Sequence, residues 1–519
     1  MSNDIKKSFF FRIPFWLILG LLPFFLFIPG IMAVQGSDLQ SEKEKIKTFL
    51  KTLESRETGL YQSYTNTAHN IEDAHSSPII FMPTVAGYLD DQAFTYDQAL
   101  AILVLIHAGE YDKARYLLSV FTDNFMTEKN GHLGLLNSYT LSNFDYFIPT
   151  RSGKRRLLCM GIDGDRIHVG PNMWIGLGFL QYYAHTGSPE FLPCALEMFK
   201  WTRSLNHYEM PDGTPGGVSM GYGWGTQWNH VFSTENNISY YVFILNLIKI
   251  YEGSSRNIRD IYLSCGVDIQ ELRKEKKYIH NWLIHVGYNK RGTFNRGANL
   301  YDDPDTVEAL DCTSWAIAAF GPKSLEKMGI DILKLIEKSE KKFLVSDTFN
   351  GKVFKGFDFT DQNGYIEKRQ HGIIWFEGTG HMALAYRILS DYYAKKNEKE
   401  LARAFDKKYR FFLNEMERFM SVAAADLYGL PCTSREVEQD KIAYSFSDWC
   451  PIVRTEKGKY SLSLSSTIWH YFAVTGFNPF DISMPAKEMD LVETSCEEEI
   501  PPFGKEILLD KDVQKKFQI

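Results

Sequence analysis

The chain has 519 residues, 44% of them hydrophobic and 23% charged, with a formal net charge of −7. This is globular composition with enough apolar material for a large core, and it excludes a disordered or low-complexity chain. No broad basic surface is encoded, so nucleic acid is excluded as an expected partner.

The N-terminus reads as a targeting segment. Lys6, Lys7 and Arg12 form a positive flank before the charge-free apolar run Ile13–Val34. Residues 1–36 are therefore expected to be a signal peptide or an N-terminal membrane anchor. Residues 13–34 are just long enough to span a bilayer, although Pro14, Pro23 and Pro29 weaken them as a helix. In either case the positive flank keeps the N-terminus inside and sends the body out, so a periplasmic or secreted location is expected.

From there a pair of segments recurs. One member opens with polar or Gly-rich residues and becomes apolar on most faces, which requires burial all round. The other is amphipathic and suits an outer wall. The apolar members begin near Thr95, Asn172, Asn236, Cys312, Gly378 and Ser465. Their amphipathic partners lie near 42–55, 111–125, 189–204, 268–286, 323–343 and 398–419, with Arg256–Cys265 as an additional candidate helix. Ser188-Pro189-Glu190 reads as a helix start. Gly109, Gly187 and Gly253 read as stops. Long stretches with turn residues precede the inner helices, at 130–143, 214–228, 290–301, 350–374 and 428–464. Loops gathered on one face of a scaffold are where function tends to sit.

Seven cysteines are present and none forms a CxxC pair. Neither they nor the histidines have metal-ligand spacing, so no metal and no cofactor are expected. Cys432 and Cys450 bracket one long loop and are the first pair to test for a disulfide. Asp163-Gly-Asp165 lacks the following acid that would complete a calcium loop. Asp302-Asp-Pro-Asp305 reads as a turn.

Five of the six inner starts carry or closely follow an acid: Asp97, the Asp163/Asp165 pair, Glu235, Asp311 and Glu377. Each alone reads equally as a helix cap or dipole partner. Together they would converge on one end of a ring. Glu377 is the first candidate for catalysis, because Trp375 and Phe376 would desolvate it; Glu235 and Asp97 come next. Aromatic and polar residues cluster with them, and sugar faces stack on such rings. The candidate binding residues are Trp174, Tyr222, Trp224, Trp228, Trp315, Trp375 and Trp469. Asp165, Asn172, Asn236, Asp311 and His381 complete that set. Core packing is the competing role for the large rings, and a satisfied core position for His381.

Six inner and six outer helices with loops before the inner ones resemble the (α/α)6 toroid. That scaffold is shared by many glycoside hydrolases, unsaturated-glucuronide hydrolases, polysaccharide lyases and sugar epimerases. Tyr96-Asp97-Gln98 resembles the aromatic-Asp start common in such enzymes, and Trp375-Phe-Glu-Gly-Thr-Gly-His381 resembles their Trp-x-Glu-Gly openings. The resemblance implies an all-α toroid over residues 37–485, with short β-hairpins at one end and a C-terminal tail at 486–519. It implies a carbohydrate substrate and hydrolysis of an O-glycosyl bond, with Glu377 as general acid and Glu235 or Asp97 as base. Two alternatives stay open. One is a lyase or another sugar-modifying enzyme, for which Arg166, Arg291 and Arg296 would neutralise a uronate. The other is a non-catalytic glycan-binding or envelope-assembly protein.

Overall fold

The computed structural model describes residues 36–65, 91–128, 131–150, 153–161, 166–223, 227–299, 305, 307–362, 371–423, 428–435 and 461–482. The apolar run 13–34, Asp163, Asp165, Trp224, Asp302, Cys450 and the 486–519 tail lie outside these residues. Two compact units make up the chain, Met1–Ser41 and Glu42–Ile519. The helix α1 (Gly36–Leu53) begins in the first unit and ends in the second, and every other described element belongs to the second.

Six helices form an inner ring: α2 (Thr95–Ala108), α4 (Val169–Thr186), α6 (Thr234–Gly253), α9 (Leu310–Phe320), α12 (Phe376–Lys395) and α14 (Leu464–Thr475). Each packs on the next, and α14 returns to α2, so the ring closes. Their composition requires it: in α2 every residue from Asp97 to Ile106 is buried, and α4 and α6 are nearly as enclosed. The outer helices are α1, α3 (Tyr111–Asn124), α5 (Leu192–Arg203), α8 (Ile269–Trp282), α11 (Ile332–Phe343) and α13 (Lys399–Ala423), with the short α7 (Arg256–Ser264) and α10 (Pro322–Lys327) beside them. They bury one stripe each, as Ile332, Leu335, Ile336, Ser339 and Phe343 do in α11. This is the expected all-α toroid.

Two boundaries differ from expectation. Ser188-Pro189-Glu190 forms an approach turn, and α5 begins at Leu192 with Pro193 in its first turn. Glu190 is drawn instead to Arg115, which donates to both its oxygens at 2.7 and 3.0 Å. The 323–343 segment is broken into α10 and α11, because Gly329 at φ +77 ends the first helix.

Short antiparallel hairpins precede the inner helices, including 207–209 with 215–218 and 344–349 with 352–357. The fourth residue of each inner helix explains how they are fastened. Asn172 accepts from Leu135 N–H at 2.7 Å and donates to its carbonyl at 3.0 Å. Asn237 does the same to Val218 at 2.8 and 3.0 Å, and Gln98 to Tyr61 at 2.8 and 2.7 Å. Thr379 and Thr467 accept from Phe357 and Leu430 N–H, each at 3.0 Å. Thr313 is the exception and bonds the Ser339 hydroxyl of α11 at 3.2 Å. These side chains supply hydrogen bonds that short strands cannot make among themselves. Asn172, expected to touch substrate, is therefore a buried fastening.

At the other end of the ring the chain after α14 turns at Gly476 (φ +72) and crosses the bore. Gln181 donates to the carbonyls of Pro479 and Asp481, Asn246 to that of Phe480, and Asn478 to that of Ala318. The Phe480 ring meets Trp174 at 4.9 Å and Trp315 at 5.5 Å. The bore is thus closed from below. Among the described residues no helix is long and apolar enough to cross a membrane. Cys432 is disulfide-bonded, to a residue outside those described.

Candidate functional site

The ring has a register. The second residues of its six helices, in ring order, are Tyr96, Gly170, Glu235, Asp311, Glu377 and Ser465. Three of the acids expected from sequence occupy this position. Helix N-termini carry partial positive charge, which suits carboxylates there.

Glu377 is held from the adjacent α14 and from α2 beyond it. Tyr96 O–H donates to Glu377 Oε1 at 2.8 Å, while Trp469 Nε1–H donates to the Tyr96 oxygen at 2.8 Å. Ser465 adds a further hydrogen bond. Burial pushes the Glu377 carboxyl up from 4.5 to about 7, with both hydroxyls opposing the rise. Burial likewise lifts Asp311 to about 6; His381 and the Cys312 N–H pull against it and Glu377 pushes with it. Glu235 is raised well above the usual range, first by burial and then by the charges of Asp311 and Glu377. These three acids sense one another, so sequence-distant carboxyls share one mouth.

Glu235 differs from Glu377 in one respect. Among the described residues nothing donates a hydrogen bond to its carboxylate, yet the residue keeps partial access to solvent. Asp97 differs from both. It is the third residue of α2, only 4% exposed, and hydrogen-bonds Ser63. Burial lifts it to about 8, with Glu377 adding to the rise.

The aromatic expectations divide. Trp174, Trp315 and Trp469 are 0–1% exposed and pack on one another at 5.1 to 6.3 Å. They fill the bore under the acids, which leaves no ring face for a ligand. Trp375 is also buried, edge-on to His381 at 5.3 Å. His381 Nε2 accepts from Trp315 Nε1–H at 3.4 Å, so it cannot also donate to Glu377 Oε1 at 3.6 Å. Burial lowers its pKa to about 3, and it is a neutral core histidine. Tyr222 remains exposed at 37% and Trp228 half-buried, so both keep ring area free. Arg166 lies over Trp228 at 5.4 Å, and His168 meets the same ring at 4.9 Å.

Tyr96, Ser465 and His168 were not among the sequence candidates. Aligning the six helix starts would have exposed the first two, since they share the position of Glu235 and Glu377. Among the described residues no group of acids, histidines and cysteines is arranged to hold a metal.

No family model matches the chain, and no curated protein matches it. Solved structures do. A wild-type glycosidase shares 10% identity, covering 87% of this chain and 100% of its own, with a TM-score of 0.50. A glycosidase variant in complex with glucose shares 10%, covering 86% and 99%, also at 0.50. A cellobiose 2-epimerase from Bacillus thermoamylovorans shares 11%, covering 84% and 99%, at 0.48. At such identities the two glycosidase likenesses show the toroid fold and nothing beyond it.

Proposed function

We propose that the chain is a glycoside hydrolase-like enzyme that cleaves an O-glycosyl bond of an oligo- or polysaccharide outside the cytoplasm. One observation carries the reading: Glu235 and Glu377 sit at one mouth of the ring, electrostatically coupled but differently solvated. Two interacting carboxyls do not ionise together, and their surroundings decide which one keeps the proton. Hydrogen bonds from Tyr96 and Ser465 favour ionised Glu377. Glu235 has no such donor among the described residues and retains its proton. The roles suggested by sequence are thereby exchanged: Glu235 is the general acid at the leaving oxygen, and Glu377 the carboxylate that activates water or attacks. Asp97, tied to Ser63, supports the mouth. The glycosidases that share this fold agree with the reading. The apolar run after a basic flank and the disulfide at Cys432 support the location.

A uronate lyase fits less well. It needs cations at the mouth, and, of the three expected, Arg291 pairs with Glu308 at 3.1 Å and Arg296 with Asp305 at 2.6 Å, which leaves Arg166, seated over the Trp228 ring.

The test compares Glu235→Gln with Glu377→Gln on natural glycans and on nitrophenyl glycosides, whose leaving group needs little protonation. Each should lose about 10²- to 10⁴-fold on glycans. Glu235→Gln should keep most activity on nitrophenyl substrates, whereas Glu377→Gln should lose both. Full activity of Glu377→Gln on any substrate the wild type cleaves would sink the proposal.

A further inference from the structure

On the approach to α12, every backbone N–H from Gly372 to Phe376 has an acceptor. Gly372 N–H donates to Asp358 Oδ2 at 2.8 Å, and Ile373 N–H to the same oxygen at 3.3 Å. Ile374 N–H donates to Ser434 Oγ at 3.0 Å. Trp375 and Phe376 N–H go to the carbonyls of Phe357 and Cys432, at 2.8 and 3.0 Å. The next residue is Glu377. Gly372, at φ +101, turns the chain so that two successive N–H groups converge on one oxygen.

Asp358 is the buried acid among these acceptors, 1% exposed. Its Oδ1 accepts from Phe359 N–H at 2.8 Å, and His371 Nδ1 lies 3.0 Å from its Oδ2. The backbone around it is fixed as well. Asp358 N–H donates to the Phe343 carbonyl at the end of α11, at 2.8 Å. The Phe359 carbonyl accepts from Leu310 N–H, the first residue of α9, at 3.0 Å. The Thr360 hydroxyl donates to the Glu308 carbonyl at 2.9 Å. Residues 357–360 therefore join the start of α9 to the start of α12, the helices that carry Asp311 and Glu377. An amide in place of the Asp358 carboxylate would set an NH2 group against a backbone N–H, leaving buried donors unmatched.

We propose that Asp358, with His371 braced against it, is a positioning residue for Glu377: its carboxylate clamps the Gly372 and Ile373 N–H groups and so fixes where α12 begins. The inference rests on reading Glu377 as the carboxylate that activates water or attacks, and adds what holds it in place. Asp358 acts through the backbone and touches no substrate. Without the clamp, the helix start shifts and Glu377 loses its alignment with Tyr96 and Ser465, the partners that favour its ionised form.

Asp358→Asn in the full chain tests this by amide hydrogen exchange and by kinetics on a glycan the wild type cleaves. Exchange at 372–376 should quicken about tenfold, with the inner helices unchanged. The kcat should fall about 10- to 100-fold, with KM within about threefold. The pH–rate limb of Glu377 should move up by about half a unit, as its bonds from Tyr96 and Ser465 weaken. If Asp358→Asn does not fold, His371→Gln, at a side chain 25% exposed, should give the same pattern with a kcat loss of about threefold. Unchanged exchange at 372–376, or faster exchange there with unchanged kcat, would overturn the inference. A kcat loss accompanied by faster exchange throughout the ring would overturn it too, since that is general destabilisation. Clamp and hydrolase separate cleanly. Local exchange in Asp358→Asn without any turnover by the wild type leaves the clamp standing and removes the hydrolase. Wild-type turnover with unchanged exchange and kcat in the variant does the reverse.

Discussion

The two ends of the same ring solve opposite problems. At the N-terminal mouth, Glu235, Asp311 and Glu377 lie over the tryptophans that fill the bore, and burial raises all three. At the C-terminal floor, neutral amides from Gln181, Asn246 and Asn478 tie a crossing segment by its carbonyls, and Phe480 plugs the bore. The acid of that segment, Asp481, pairs with Lys249 at the exposed rim at 2.6 Å. The floor is built for stability. The mouth holds charge where charge is unfavourable, which is the usual trade between stability and activity.

The largest way to break the contrast is at the floor. Phe480→Ala removes a ring that is 1% exposed and should cost about 3–5 kcal/mol in urea unfolding. Next comes pH. Unfolded carboxyls near 4 release protons that the folded mouth retains up to about 6 at Asp311, 7 at Glu377 and 8 at Asp97. The unfolded state then binds fewer protons, so stability falls as pH rises through this range. Buried His168 and His381, lowered to about 3, act in the opposite sense, but only below 6.5. Between pH 6.5 and 8.5 these acids act in one sense, joined by His371, which Asp358 raises, and stability should drop by about 3 kcal/mol. Asp97→Asn should flatten that slope; a slope unchanged in this variant would contradict its burial as the cause. Asn237→Ala unfastens the 215–218 strand and should cost about 1–3 kcal/mol in the same assay. The smallest effect is at Tyr96→Phe. Losing its hydrogen bond disfavours ionised Glu377, so the pH–rate limb belonging to that group should move up by about one unit.

Much of this was legible in the chain. Segments apolar on every face, alternating with amphipathic ones, leave a closed double ring as the arrangement that buries both. The placement of long loops before the inner helices marked the end where the acids gather. The bulk of Trp174, Trp315 and Trp469 was visible too, but whether they face a ligand or one another was not. Their separation in sequence says nothing about the diameter of the bore they fill.

The sequence by itself determined the elements, the toroid and the end at which acids gather, because helical periodicity and capping are local. Tertiary structure decided the rest. Tyr96 reaches Glu377 across 281 residues, and only ring closure sets which face of each helix start meets the axis. That geometry ties Asp97 to Ser63, packs the Asn236 amide against Gly170, and gives Glu377 hydrogen bonds that Glu235 lacks among the described residues. Desolvation and hydrogen bonding depend on neighbours that chain order does not name.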